Sequence, residues 1–386
     1  MFKMAVGHSD DVDPADAIGI AIEQCRASMD GLAPQAAILF AAFDSFEPSI
    51  VEDVRRAFPG ISIMGATSAA ELSSVNGYQE DSILLAVFAS DSVDMTVGLG
   101  AGLTDDVDAA CRAAVDEAVA ATRRDPALCV VLTEGLMGDP QLVIESLARA
   151  LPPGVEIVGG TSARHDFASA NPGFEFSGDR VVEDGIALLL FSGPIAYATA
   201  TGTGWRTVGV QGMVTGSRSG ALVEVDGRPA TEFLARYLDV TGPASFGNPL
   251  AVVETGGAEP YLRAIVGADP ASGEVHLVGT VPVGATVQHT TADTDDILAG
   301  TSAALARASA DFPAGSTPQA ALIFSCAVRQ FLLGSRTQEE ARMARSELGP
   351  SVPLAGLYCY GEIGPVAGAR TSRFFQETFV ALLLGT

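Results

Sequence analysis

Basic residues are scarce in this chain: 22 Lys and Arg stand against 47 Asp and Glu among 386 residues, a formal net charge of −25. Nucleic acids and anionic membrane surfaces are gripped by basic patches, and no Lys/Arg-rich run occurs, so neither is expected as a partner. Cysteine is sparse and dispersed. Cys25, Cys111, Cys129, Cys326 and Cys359 are odd in number and form no C-x-x-C pair; this argues against a disulfide framework or zinc cluster and fits a reducing cytoplasm. Long apolar runs are missing too. The most apolar stretch, 186–200, is interrupted by Ser192-Gly193-Pro194 and falls short of the ~20 residues that cross a bilayer, so it is expected to be two buried strands and a turn. The N-terminus lacks a continuous apolar segment, so no signal peptide is expected. His8, His165, His276 and His289 show no metal-ligand spacing. Gly98-x-Gly100-x-Gly102 has the wrong spacing for a dinucleotide fingerprint, and no Walker loop, Gly-x-Ser-x-Gly elbow or zinc-protease helix is present. On those grounds the chain is not expected to be an enzyme.

What the chain does contain is one segment written three times. The copies open on Ser9-Asp10-Asp11, Thr104-Asp105-Asp106 and Thr294-Asp295-Asp296, which predicts helix starts with the hydroxyl as cap and negative charge facing the macrodipole. An apolar strand follows at 36–42, 128–132 and 320–324, then a second helix. In the second copy that helix begins Asp139-Pro140, with Val143, Ile144, Leu147 and Leu151 as a core-facing stripe. Each copy next reaches a second strand and a polar loop. Gly65-Ala66-Thr67-Ser68-Ala69 and Gly159-Gly160-Thr161-Ser162-Ala163 match closely, whereas the third copy reads Gly356-Leu357-Tyr358-Cys359-Tyr360-Gly361-Glu362. A closing apolar strand completes each copy at 82–88, 185–191 and 379–384. The expected class is α/β with mixed sheets, built from repeated helix, strand, helix, strand, loop, strand units.

Length alone favours two domains. Residues 1–204 would hold the first two units, about 9–90 and 104–193. Residues 213–386 would hold a β-rich segment and the third unit, about 294–386. In the β-rich segment, 214–220 and 221–227 read as a hairpin-like pair with Asp226-Gly227 at its far end, and 229–238 as a short helix.

Several spaced elements of the third copy occur in an order that carries a resemblance. Phe324-Ser325-Cys326-Ala327-Val328-Arg329, Leu333-Gly334, Glu339-Glu340, Pro353-Leu354-Ala355-Gly356 and Tyr360-Gly361-Glu362-Ile363-Gly364-Pro365 together resemble the C-terminal part of FIST domain proteins. Glu224-Val225-Asp226-Gly227-Arg228-Pro229-Ala230 is similar to the start of that domain. Gly159-Gly160-Thr161-Ser162-Ala163 with Asp166, followed by 182–190, is similar to the FIST N-terminal domain. The resemblance covers nearly the whole chain. It implies a cytosolic, bacterial signal-transduction sensor that binds small ligands such as amino acids, and some members are linked to haem and nitric oxide sensing. No kinase, receiver or cyclase segment is fused here, so output is expected through a separate signalling protein, such as a histidine kinase or cyclic-nucleotide enzyme.

The candidate ligand-binding residues lie in the loops after the strands. Arg329 either holds a ligand carboxylate through its bidentate fork or pairs with a local acid. Tyr358, Tyr360 and Glu362 alternate, so in an extended segment they share one face suited to an ammonium group; the structural alternative is a core Tyr pair with Glu362 capping a turn. Thr67, Ser68 and Glu71, with Thr161, Ser162 and Asp166, occupy the matching loops and serve either the ligand or local capping. Cys326 is a small buried hydrophobe or, in a thiol-dependent enzyme, a nucleophile with its thiolate favoured by Arg329. No cofactor is expected from the residues; were haem bound, His165 is the axial candidate.

Overall fold

In a computed structural model the described residues are 1–386 except 137, 166–172, 240–246, 258 and 367–370. Three units of one pattern make up most of it. The first runs through strand Phe2–Ser9, helix Pro14–Ser28, strand Ala36–Ala42, helix Pro48–Ala57 and strand Ser62–Ser68; a hairpin of Ala70–Ser73 and Gly77–Gln79 and the closing strand Ile83–Ser90 complete it. The second repeats this as Asp94–Ala101, Val107–Ala121, Pro126–Thr133, Pro140–Ala150 and Glu156–Thr161, then the hairpin Glu175–Ser177/Arg180–Val182 and Gly185–Ser192. The third is Ala196–Gly202, Thr294–Asp311, Ala320–Cys326, Ala327–Leu333 with Gln338–Leu348, Leu354–Cys359, the hairpin Glu362–Pro365/Ser372–Phe375, and Phe379–Gly385. The chain is mixed α/β, as its patterning predicts.

Two expectations are corrected. Every unit has a leading strand that the repeat boundaries omit, so the third unit starts at Ala196 rather than near 294, and the β-rich segment is inserted inside it. The helix caps are aspartates, not the hydroxyls: Asp13, Asp106 and Asp293 accept from the first-turn amides, with Asp296 closing a capping box at Asp293. A carboxylate adds charge–dipole attraction to the cap hydrogen bond, so it displaces a nearby hydroxyl.

In each unit the second and third strands pair in parallel and the closing strand lies antiparallel beside the second. The hairpins do not stay at home. That of the first unit pairs with strand Leu354–Cys359 of the third, that of the second with Ser62–Ser68 of the first, and that of the third with Glu156–Thr161 of the second. Each of the three six-stranded sheets is therefore completed by a hairpin from another unit, and the exchange closes on itself.

Strand alternation splits each sheet's side chains between two cores. Ile38, Phe40, Leu128, Val130, Leu322 and Phe324 turn inward to a single cluster shared by all three units, where Phe88 and Phe191 meet edge-on at 5.7 Å between ring centroids. The intervening residues, such as Leu39, Val131 and Ile323, face the helices of their own unit. With both faces covered, the strands read as continuous apolar runs.

The inserted segment, 206–291, forms a fourth sheet around strands Arg206–Arg218, Ala221–Val225, Leu250–Val253 and Thr286–Thr291. Its expected turn is present: Asp226 and Gly227 adopt φ 56° and 73°, the pairing a tight hairpin turn demands. Trp205 packs with Ala251, Leu262, Ile297, Leu298 and Leu333 where this sheet meets the third unit.

Candidate functional site

Register relates the three hairpins residue by residue. Leu39, Val131 and Ile323 face Gly65, Gly159 and Gly356 across the parallel strand pairs. One residue beyond those glycines, Ala66, Gly160 and Leu357 are paired with Glu175, Glu362 and Glu71. Three glutamates thus occupy one equivalent position, at the carboxyl ends of the parallel strands where open α/β sheets bind ligands. All three are fully buried. Transfer of a carboxylate out of water favours its neutral form.

Each glutamate keeps local company. In the first unit, Ser68 and Ser82 donate to Glu71, and the His8 ring joins Ser82 and Ser73 at 2.8 Å. Burial pushes the Glu71 carboxyl up to about 7 against these hydroxyls, and lowers His8 to about 4. In the second unit, Glu175 faces Ser162, Glu134 and Asp184; burial first, then those two acids, hold it well above the usual carboxylate range. Neither of its oxygens finds a hydrogen-bond donor within bonding distance among the described residues. In the third unit, the Cys359 thiol approaches Glu362 at 3.5 Å and the Thr378 amide donates to it at 3.0 Å, while burial pushes it up to about 8. Glu377, fully buried with φ 54°, lies beside it and is also held well above the ordinary value by burial and by Glu362.

The structure gathers Cys326, Cys359 and Glu362 into that third cluster and brings Thr67 up to Ser162; a Cβ on Gly173 would meet Ser162 Cβ at 2.6 Å and Thr67 Oγ1 at 2.7 Å. Thr67 Oγ1 accepts from the Phe174 amide, and the Thr161 amide donates to the Gly361 carbonyl. These polar residues knit one unit to the next. Asp166 lies outside the described residues. His165 is exposed at the edge of 166–172.

Arg329 does not face an open site. Its guanidinium is fully buried against Glu340, with Nε and Nη2 at 3.1 and 2.7 Å from Oε1, and its remaining donors go to Thr301 Oγ1 and the Thr203 and Ile297 carbonyls. Tyr358 and Ser325 donate to the other Glu340 oxygen at 2.8 and 3.0 Å. Of the two readings of Arg329 the local acid therefore holds, because the helix Gln338–Leu348 delivers Glu340 to it. The shared face of Tyr358, Tyr360 and Glu362 is likewise corrected. The strand stops at Cys359 and a bend at 360–361 sends Glu362 into the neighbouring sheet, while Tyr360 donates to the Arg164 carbonyl. Cys326 is buried, and burial together with Glu362 and Glu377 pushes its thiol well above the ordinary range, the reverse of the thiolate that a nucleophile needs.

Two cavities of about 440 Å³ approach these clusters. One lies between the inserted sheet and the third unit, with Thr378 in its wall along with Arg307, Arg373, Glu254, Glu259 and Tyr261. Arg373 pairs with Glu254 at 2.7 Å and stacks over the Tyr261 ring at 4.1 Å. None of these five was visible as a site residue in the sequence, because four come from the insertion or its facing hairpin and carry no repeated pattern. The other cavity opens at the mouth of the second unit, over Glu134 and Asp184.

A model of the FIST N domain matches residues 35–228, and one of the FIST C domain matches 230–365. An uncharacterised protein of Mycobacterium tuberculosis strain H37Rv is 30% identical over 260 residues, spanning 63% of this chain and 66% of that protein. An uncharacterised protein of Mycobacterium bovis is 28% identical over 186 residues, 45% of this chain and 47% of the relative. The matches thus span less than two thirds of these relatives' lengths. Among solved structures, a cyanuric acid hydrolase from A. caulinodans aligns over 99% of both chains at a TM-score of 0.35 and 10% identity.

Proposed function

The chain belongs to the FIST family, and from that premise we propose that it is a signal-transduction sensor that holds a small zwitterion, such as an α-amino acid, between its third unit and the inserted sheet. FIST domains are associated with signal-transduction sensing of small ligands. The observation that carries the choice of ligand is the mixed charge of the cavity there: Arg307 and Arg373 for a carboxylate, Glu254 and Glu259 for an ammonium, and the Tyr261 ring beside them. The carboxylate role expected of Arg329 passes to Arg307, which reaches the cavity from helix Thr294–Asp311. Arg329 instead supports the wall from behind, through the Thr203 carbonyl.

The cavity walls belong to different layers. Glu254 and Tyr261 come from the inserted sheet, while Arg307 and Thr378 come from the third unit. A ligand that bridges them favours one spacing of the two, and that difference in free energy is what a separate partner protein would read. Trp205, the chain's single tryptophan, is packed at that junction and donates to the Gly247 carbonyl at 3.2 Å, so it reports the spacing directly.

The test is a titration of the common amino acids and small carboxylates, followed by calorimetry and Trp205 fluorescence. The expected result is saturable binding with a fluorescence change, weakened about tenfold by Arg307→Ala. If no amino acid or small carboxylate raises the melting temperature at millimolar concentration, the reading fails, because occupancy far above the dissociation constant adds stability.

A further inference from the structure

We propose that the cavity between the third unit and the inserted sheet selects acidic amino acids, and that Arg263, a buried guanidinium outside its lining, sets that selectivity. This selectivity presupposes the amino-acid reading of the cavity. The charges on the cavity wall cancel, with Arg307 and Arg373 against Glu254 and Glu259. Arg373 pairs with Glu254 at 2.7 Å, and the Tyr261 hydroxyl donates to the same Glu254 oxygen at 3.0 Å. Glu254 is thus largely committed, which leaves Glu259 for a ligand's ammonium group. Arg307 reaches the cavity with no ion pair or hydrogen bond to any described residue.

Behind the wall the balance tips. Two guanidinium groups stack on the Tyr261 ring, with Arg373 Cζ 4.1 Å and Arg263 Cζ 4.4 Å from its centroid. Arg263 is only 2% exposed. Its Nη1 donates to the Leu262 and Phe374 carbonyls at 3.1 Å, its Nε has no partner, and no carboxylate among the described residues pairs with it. Asp139 acts on it only from a distance and is committed to the Gln141 amide and the Thr280 hydroxyl at 3.0 and 2.8 Å, where it caps a helix. The acids behind Thr378 add no counter-charge, because burial keeps Glu362 and Glu377 protonated at neutral pH, and Glu340 is closed on Arg329. A buried guanidinium without a carboxylate costs free energy that an approaching anion returns.

With Arg263 included, three arginines oppose two glutamates, and the complement is a ligand with one net negative charge. An α-amino dicarboxylic acid has that charge and the matching groups: one carboxylate for Arg307, the ammonium for Glu259, and the second carboxylate for the donors of Arg373 that Glu254 leaves open. Arg263 touches no ligand atom in this arrangement. It acts by its charge through the Tyr261 ring, in an interior where such charges are weakly screened.

The experiment is a calorimetric titration of the full chain with L-glutamate, L-glutamine, L-aspartate and L-asparagine in turn, since each acid differs from its amide by one charge at nearly constant shape. At least one acid is expected to bind about tenfold tighter than its amide. Arg263→Gln keeps a donor for the two carbonyls and removes the charge; it is expected to bring acid and amide to parity with the amide's affinity unchanged, a result that a merely structural role would not produce. Arg263→Lys keeps the charge and is expected to keep the preference. The comparison of acid with amide in the unaltered chain needs no variant, so it decides even if Arg263→Gln fails to fold. Amides that bind the unaltered chain as tightly as the acids, or a preference that survives Arg263→Gln, would overturn the inference and leave the zwitterion cavity standing; absence of binding by every amino acid would remove both.

Discussion

At the scale of single residues, the unusual investment is in buried carboxyls that stay protonated. Glu71 and Glu362 hold their protons in the folded chain up to about 7 and about 8, against 4.5 for the free side chain. Glu175 and Glu377 are shifted in the same direction. The folded state therefore keeps protons that the unfolded chain releases above 4.5, and this contribution to stability is lost as pH rises through the folded values. His8 works the other way: lowered to about 4 from 6.5, it stays neutral in the fold and destabilises only as pH falls from 6.5 through 4. Between pH 6.5 and 8 the carboxyls act alone; Glu71 and Glu362 should lower the unfolding free energy by about 2 kcal/mol across that interval, and Glu175 and Glu377 add to the fall. Urea denaturation at a series of pH values measures it, with Glu71→Gln plus Glu362→Gln expected to lessen the slope. A stability that is level or rising over this range contradicts the protonated assignment.

Elements carry the next level of argument, because the hairpins and not the strands decide how the units join. Gly160, at the end of the second unit's strand, lies under the third unit's hairpin, and a Cβ there would meet Cys359 Sγ at 2.8 Å and the Gly361 carbonyl at 3.3 Å. Gly160→Ala should cost about 2 kcal/mol by overpacking, and Cys359→Ala in the same chain should return part of it. A double-mutant cycle in urea reads that coupling; strict additivity would deny the contact between units. Much of each element was legible in the sequence: the Asp139-Pro140 helix start, the apolar runs and the Gly-x-Thr-Ser-Ala strand ends announce themselves locally. The hairpin glutamates were not legible as a set. Glu71 and Glu362 each follow the strand end by three residues, Ser68 to Glu71 and Cys359 to Glu362, whereas Glu175 comes fourteen positions after the strand end at Thr161, which hides the third member. Arg329 was misplaced for a related reason, since its partner Glu340 arrives on a helix whose docking only the tertiary fold determines.

For the molecule as a whole, the inward faces of all three sheets share one apolar cluster, so each unit alone would keep only its helix-facing core and expose the other face of its sheet. The change of pattern expected near 204–212 marks where a sheet has been inserted into the third unit; the central cluster runs on across it. A fragment of residues 1–193 retains two units but strands the 70–79 hairpin without Leu354–Cys359 and leaves Glu156–Thr161 without its borrowed partner. That fragment should show no cooperative urea transition and should bind a hydrophobic dye, while the full chain unfolds in one step by circular dichroism and by Trp205 fluorescence. A sharp transition in the fragment would mean that the first two units fold independently.

The exchange of hairpins also runs in one direction and returns to its start after three steps. Three free copies of a lone unit would satisfy the same pairings by associating as a ring, each lending an arm to its neighbour. A single chain carrying all three has that ring's architecture without its obligatory sameness: each position in the ring can be edited alone, and the third has taken in a whole sheet while the other two remain intact.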